Sequence, residues 1–244
     1  MDLARNTSFY RTKMDDLASE IIQEADKYDV DIPIAAERIV ARRLGYDNED
    51  INLVGGAGDR GVDFWYASEG GLYIYQVKTH ELTENGKINN TKKFNSAGIQ
   101  DLSRARSFLL GISEFDESHR LQKLRETFAR LVRNHKSQEI ENPLHIYLTL
   151  VILGDEFTDQ AFGELADLEK ELEKPQSFEG ITVQFHITYQ NLSNIIESEW
   201  RQENTEWKDK DGQKRNSIRL TPLSQSDKRD YLNDNKAAIF YCKA

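Results

Sequence analysis

Three polar residues set into an apolar and aromatic stretch carry the most specific chemistry in this sequence. In GGAGDRGVDFWYASEGGLYIYQVKTHE, residues 55–81, Asp63 opens one aromatic run, and Gln76 and Lys78 close the next. Residues two apart on a strand point to the same face, so Gln76 and Lys78 project together while Val77 faces the opposite layer. A glutamine and a lysine beside Tyr73, Ile74, Tyr75 and Val77 carry a burial cost that calls for a partner. A hairpin turning around Ser68 to Gly71 brings Asp63 to the same face. Carboxylate, amide oxygen and ammonium then converge. This set suits phosphodiester hydrolysis. A hard cation, Mg²⁺ or Mn²⁺, takes oxygen ligands, here the Asp63 carboxylate, the Gln76 side-chain carbonyl and the Val77 backbone carbonyl, and keeps waters for the reaction. Lys78 is suited to orient or deprotonate the attacking water and to stabilise the charge that develops on phosphorus.

The elements that must position these residues follow from periodicity. Met14, Leu17, Ile21, Ile22 and Ala25 have helical spacing within residues 13–28. Pro33 and Gly45 bracket a second helix that carries Glu37. INLV, GVDFWYA and GLYIYQVK then read as three strands of a meander. Helices are expected at about Ser96 to Leu110 and Glu117 to Lys136. LHIYLTLVIL has the apolar continuity of a central strand covered on both faces. A helix near Asp159 to Lys174, a strand at ITVQFHIT and a helix at LSNIIESEW complete the alternation. Residues 201–215 read as an exposed loop and AAIFYC as a last apolar strand, which suggests a chain cut from something longer. The class is α/β with a mixed sheet.

Composition bounds the function. The single Cys242 and the absence of a Cys/His cluster at zinc spacing leave oxygen as the only ligand type for a metal. No apolar run approaches the length of a membrane span and no signal peptide is evident, so a cytoplasmic protein without a membrane partner is expected. The net charge of -10 opposes binding to nucleic acid over the whole surface. A local basic strip suffices for an enzyme, and Lys87 to Arg106 offers one that includes Lys92, Lys93 and Arg104. Gln100 and Arg104 lie one helical turn apart, facing either DNA or water. A second basic set, Arg120, Lys123, Arg125, Arg130, Arg133 and Lys136, reads equally as a solvated helix face.

The order GAGDRGVD, hairpin, QVK resembles the PD-(D/E)xK nuclease superfamily, in particular the variant ending in QxK found in Mrr-like restriction endonucleases. The resemblance implies a restriction-endonuclease-like mixed sheet flanked by helices over residues 1–115, with an α/β extension over 116–244. It also implies a metal site completed by an acid on the helix before the first strand, a place that Glu37 occupies. The catalytic set is then Asp63, Gln76, Lys78 and Glu37, with Lys92, Lys93, Gln100 and Arg104 toward the substrate. Gln76 stands where the commoner pattern has an acid, which removes one negative charge from the site. The wider arrangement is similar to the N-terminal region of abortive infection phage resistance proteins. That similarity implies an antiviral defence endonuclease acting on DNA, a missing C-terminal part and a possible homodimer.

Each residue also has a plainer reading. Glu37 can pair with Arg38, Arg42 or Arg43, Asp59 can cap its glycine turn, and His80 can be an ordinary surface residue. Trp65, Tyr66, Tyr73 and Tyr75 can stack on bases but fit sheet core better. The alternatives to an active nuclease are a nucleic-acid-binding or sensing module that cuts poorly, and a dimerisation module built on residues 112–200.

Overall fold

A computed structural model of the chain describes residues 8–46, 51–54, 60–68, 71–112, 119–197, 207–208 and 214–215. The elements are α1 (Ser8–Tyr28), α2 (Ile32–Arg43), β1 (Asn52–Leu53), β2 (Phe64–Ser68), β3 (Gly71–Lys78), α3 (Ala97–Leu109) and α4 (His119–Ser137). They continue with β4 (Leu144–Ile152), α5 (Asp159–Leu172), β5 (Gln176–Phe178), β6 (Ile181–Asn191), β7 (Trp207–Lys208) and β8 (Lys214–Arg215). Residues 192–197 are helical. The chain divides into two units, Met1–Ile195 and Ile196–Ala244. In the second, β7 and β8 pair antiparallel within the stretch read as an exposed loop. Asp59 and the AAIFYC strand lie outside the described residues.

The first unit is a mixed α/β layer structure. Its six-stranded sheet has the order β1-β2-β3-β4-β6-β5. β1, β2 and β3 form the antiparallel meander, β3, β4 and β6 run parallel, and β5 returns antiparallel on β6. Parallel neighbours need crossovers, and α3 with α4, then α5, lie in the segments that make them. Those three helices cover one sheet face. Leu72 and Ile74 of β3, and Ile146, Leu148, Leu150 and Ile152 of β4, join Leu102, Phe108, Leu124, Phe128 and Leu165 in one buried cluster. Each such side chain contributes roughly 1.5–3 kcal/mol of transfer free energy.

The opposite face differs from expectation. β4 alternates between buried and half-buried over Leu144–Tyr147 and is fully covered only beyond that point. His145 and Tyr147 stand half-exposed there, so the central strand is sheathed on both sides over its carboxyl-terminal half. Two glycines fix where α3 lies. A Cβ on Gly98 would meet Leu150 Cδ1 at 2.7 Å and Lys78 Cγ at 3.1 Å, so the first turn of α3 rests directly on β3 and β4. Gly61, at φ +84°, would place a Cβ 2.2 Å from the Asp101 carbonyl oxygen. The loop before β2 and the helix after β3 are thereby locked against one another. Among the described residues no helix is long and apolar enough to cross a membrane.

One polar knot went unread in the sequence. Asp155, just past β4, accepts hydrogen bonds from the hydroxyls of Tyr10 (2.7 Å) and Ser193 (2.8 Å) and from Asn90 Nδ2 (2.9 Å). It joins α1, the loop after β3 and the segment after β6.

Candidate active site at the carboxyl end of β3

The register of β2 on β3 builds the site. Phe64 pairs with Tyr75 and Trp65 with Ile74, and continuing that register sets Asp63 directly opposite Gln76. Asp63 is tied on both sides by its backbone, donating to the Tyr75 carbonyl at 2.9 Å and accepting from Val54 N–H at 2.8 Å. Its Oδ2 accepts two further hydrogen bonds, from Gln76 Nε2 at 2.8 Å and from the backbone N–H of Val77 at 2.5 Å. Cross-strand partners share a face, so the hairpin brings these two residues together as expected.

Burial sharpens the chemistry. Asp63 is 1% exposed and Gln76 2%. An ionised carboxylate accepts only, so the amide presents its nitrogen to Asp63 and turns its oxygen away. That nitrogen also lies 3.4 Å from the Val77 carbonyl. Gln76 Oε1 is buried with no hydrogen-bond partner among the described residues. Leaving such an acceptor unsatisfied costs on the order of 1–3 kcal/mol. The Nε2 group thus occupies a point flanked by the Asp63 carboxylate and the Val77 carbonyl. A half-turn of the amide would put three oxygens there, the donor set that a hard cation takes.

Glu37 is 7% exposed on α2, which packs on β3. The arginines beside it each reach an acid on α1. Arg42 and Arg38 pair with Glu24 at 2.6 and 3.7 Å, and Arg43 pairs with Glu20 at 2.7 Å. At that degree of burial Glu37 does not lie along solvent. Among the described residues no three His, Cys, Asp or Glu side chains form a metal-holding group. A cation here would depend on amide and backbone oxygens beside its carboxylates.

Lys78 follows Gln76 on the same face, but its ammonium does not turn to Asp63 in this state. Its Nζ is 2.7 Å from Asp101 Oδ2 on α3, and Asp101 Oδ1 also accepts from Arg104 Nη1 at 2.6 Å. Lys78 is 30% exposed and Asp101 14%. Asp101 was missed in the sequence. The signal available was its position one turn before Arg104, on the first helix after the lysine, where a counter-charge for Lys78 has to come from.

The residues expected on the substrate side meet different partners. Arg104 is held by Asp101, and Lys93 pairs with Glu156 at 3.3 Å. Next to Gln100 in this layer, Glu164 of α5 accepts from Gln160 Nε2 at 2.9 Å, and its carboxyl is held below the usual range by Gln160 first, with Ser96 and Gln100 adding. The exposed Lys92 lends its carbonyl to His80 Nε2 at 3.1 Å. His80 also stacks on Phe94, with ring centroids 4.0 Å apart, and partial burial followed by the Lys92 charge lowers its pKa. The ring is fixed against the loop rather than extended into water.

The aromatic residues divide between two roles. Trp65 and Tyr75 are buried. Tyr66 stacks on Tyr73 at 4.6 Å, Tyr73 on Tyr147 at 4.6 Å, and Tyr147 on His186 at 4.8 Å. Their ring faces are occupied by one another, which leaves little for a base to stack on. No protein-family model, curated protein or solved structure matches this chain.

Proposed function

We propose that this chain is a divalent-metal-dependent endonuclease that hydrolyses DNA phosphodiester bonds, built on a restriction-endonuclease-like core of the PD-(D/E)xK type with the QxK variant. The observation that carries the reading is the buried pair of Asp63 and Gln76, in which Gln76 Nε2 donates to the Asp63 carboxylate and Gln76 Oε1 is left without a partner among the described residues. A structural hairpin has no need to bury an acid and an unsatisfied amide opposite each other.

In this reading Asp63, the Gln76 side-chain oxygen and the Val77 carbonyl hold Mg²⁺ or Mn²⁺, with Glu37 as a further ligand. A bound cation supplies Lewis-acid polarisation of the phosphate. Lys78, on the same strand face, orients the attacking water and donates to a non-bridging phosphate oxygen as negative charge accumulates there. Water oxygen bonds to phosphorus while the bond to the leaving sugar oxygen breaks, the attacking water giving one proton to solvent and the departing sugar oxygen taking one from it. Lys78 has first to exchange Asp101 for substrate, and a partly exposed pair of this kind holds it by only about 0–1 kcal/mol. Lys92, Lys93, Gln100 and Arg104 border the path of the strand. The resemblance to abortive infection phage resistance proteins suggests the setting, antiviral defence in the cytoplasm.

A second reading is a nucleic-acid-binding module that cuts poorly. It is favoured by the observed state, in which the Gln76 amide nitrogen sits between the oxygens and Lys78 is paired with Asp101. Incubation of duplex DNA and RNA with the chain in Mg²⁺, Mn²⁺ and EDTA separates the two. Cleavage of DNA that EDTA abolishes supports the nuclease, and binding with intact substrate under every condition supports the module.

A further inference from the structure

Helix α4 turns Leu121, Leu124, Phe128 and Val132 into the buried cluster. Its other side is positively charged. Nine residues between Leu121 and Ser137 are exposed, of which five are basic (Lys123, Arg125, Arg130, Arg133 and Lys136) and one, Glu126, is acidic. Glu126 already accepts from Gln122 Nε2 at 2.9 Å. Other basic side chains of this layer are neutralised, as Arg106 is by Glu171 and Lys170 by Asp167. Among the described residues no ion pair engages Lys123, Arg130 or Arg133.

This face stands out against its background. The chain carries 42 acidic and 32 basic residues, so its overall field repels polyanions. Basic residues at positions 123, 130 and 133 fall within about 80° of the helix circumference, opposite the apolar stripe. From Lys123 to Arg133 the row runs about 15 Å along the axis at ~1.5 Å per residue, roughly four nucleotide steps of a duplex strand. α4 also packs on the sheet face on which Leu72, Ile74, Gln76 and Lys78 follow one another along β3.

We infer that the solvent face of α4 is a docking track for a nucleic-acid backbone, with Lys123, Arg130 and Arg133 as its phosphate contacts. The inference rests on reading the Asp63–Gln76 site as a phosphodiesterase, since that reading selects a nucleic acid over an acidic protein as the occupant. The track positions substrate without selecting sequence, because phosphate contacts carry no base information.

The test measures binding of a fluorescent duplex in EDTA, where cleavage plays no part, as a function of salt. The triple variant K123E/R130E/R133E is compared with the unmodified chain and with K27E/K170E/K174E, which makes the same change in net charge elsewhere. The track requires that the α4 variant lose about ten-fold or more in affinity and that its log K against log salt slope become shallower by roughly 2 to 3 units, near 0.9 per lost contact. The control should keep the slope. Equal binding by all three proteins, or equal losses in both variants, overturns the inference, provided that circular dichroism shows them folded. No binding of duplex by the unmodified chain also overturns it, and α4-dependent binding of poly-L-glutamate in that case points to an acidic protein partner. Binding that depends on α4 in a chain that never cleaves in Mg²⁺ would instead keep the track and discard the nuclease.

Discussion

Asp63 and Gln76 face each other across the β2–β3 hairpin, and the Gln76 amide nitrogen donates to the Asp63 carboxylate over 2.8 Å with both residues buried. The glutamine in this arrangement does what a cation would do, neutralising a buried carboxylate by offering it positive hydrogen atoms. Its own oxygen is left without a partner among the described residues.

The substitution Gln76→Glu should therefore have opposite effects with and without metal. Two carboxylates at this separation in a buried site repel, which raises the pKa of at least one of them. A raised folded-state pKa gives stability that is present at low pH and lost as pH rises. In EDTA the variant should be less stable than the parent by on the order of 1–3 kcal/mol at pH 8 and by less at pH 5. Mn²⁺ should restore more stability to the variant than to the parent, because ligand binding to the native state adds to it. Thermal melts at the two pH values, with and without metal, read this directly.

Lys78 and Asp101 form a partly exposed ion pair at 2.7 Å, which predicts a small energetic role and a large effect on access. Asp101→Asn should change stability by less than about 1 kcal/mol. It should also raise the rate at which Lys78 reacts with an amine-acylating reagent, as read by peptide mass spectrometry. An unchanged labelling rate would mean that the pair does not hold the ammonium in solution.

Gly61 occupies a position that no other residue type fits without movement. At φ +84° any side chain is strained, and an added Cβ would lie 2.2 Å from the Asp101 backbone oxygen. Gly61→Ala should cost at least about 2 kcal/mol, from the left-handed backbone and the displacement of α3. Denaturant midpoints give the value. A cost below about 0.5 kcal/mol would show that the loop and α3 are not locked together.

Removing one donor from the Asp155 knot tests how α1 is fastened. Tyr10→Phe deletes the 2.7 Å bond to a carboxylate that keeps Asn90 and Ser193. The expected loss is about 1–3 kcal/mol, the range for hydrogen bonds to charged groups. Burial already pushes the Tyr10 hydroxyl pKa up, so it stays a donor throughout the accessible pH range.

His186 predicts a pH response on the opposite sheet face. Its pKa is lowered from the ordinary 6.5, first by burial and then by His145, whose Nδ1 lies 2.8 Å from His186 Nε2. A depressed histidine stabilises the fold above its unfolded pKa and withdraws that support as pH falls through the folded value. The melting temperature of the parent should therefore drop more between pH 7 and pH 5 than that of His186→Gln. Equal drops in the two proteins would remove His186 as the source.

The meeting of Asp63 and Gln76 was readable in advance because strand alternation and hairpin register are short-range rules, whereas the turn of the Lys78 ammonium to Asp101 was not. Gln76 and Lys78 sit two apart, and a turn at Ser68 to Gly71 fixes their distance from Asp63. The mixed sheet was legible for the same reason, in the meander and in the apolar run that became β4. Asp101 and Asp155 were not. Each acts through partners far away in the chain or on the next helix, and an aspartate in a helix or loop carries no local mark of what it will meet. The half-open stretch at His145 and Tyr147 was also hidden, because coverage of a sheet face depends on where distant helices end. β5, three residues long, is too short to show a period.

The most direct measurement is cleavage of supercoiled plasmid in Mg²⁺ or Mn²⁺ by the unmodified chain, Asp63→Ala and Lys78→Ala, with each confirmed folded by circular dichroism. A metal-dependent nuclease centred on this hairpin predicts nicking and linearisation by the parent and a loss of at least about 100-fold in both variants. Cleavage that survives both substitutions would place the activity elsewhere in the preparation, and an inert parent that still binds the plasmid would leave the site a binding module without chemistry.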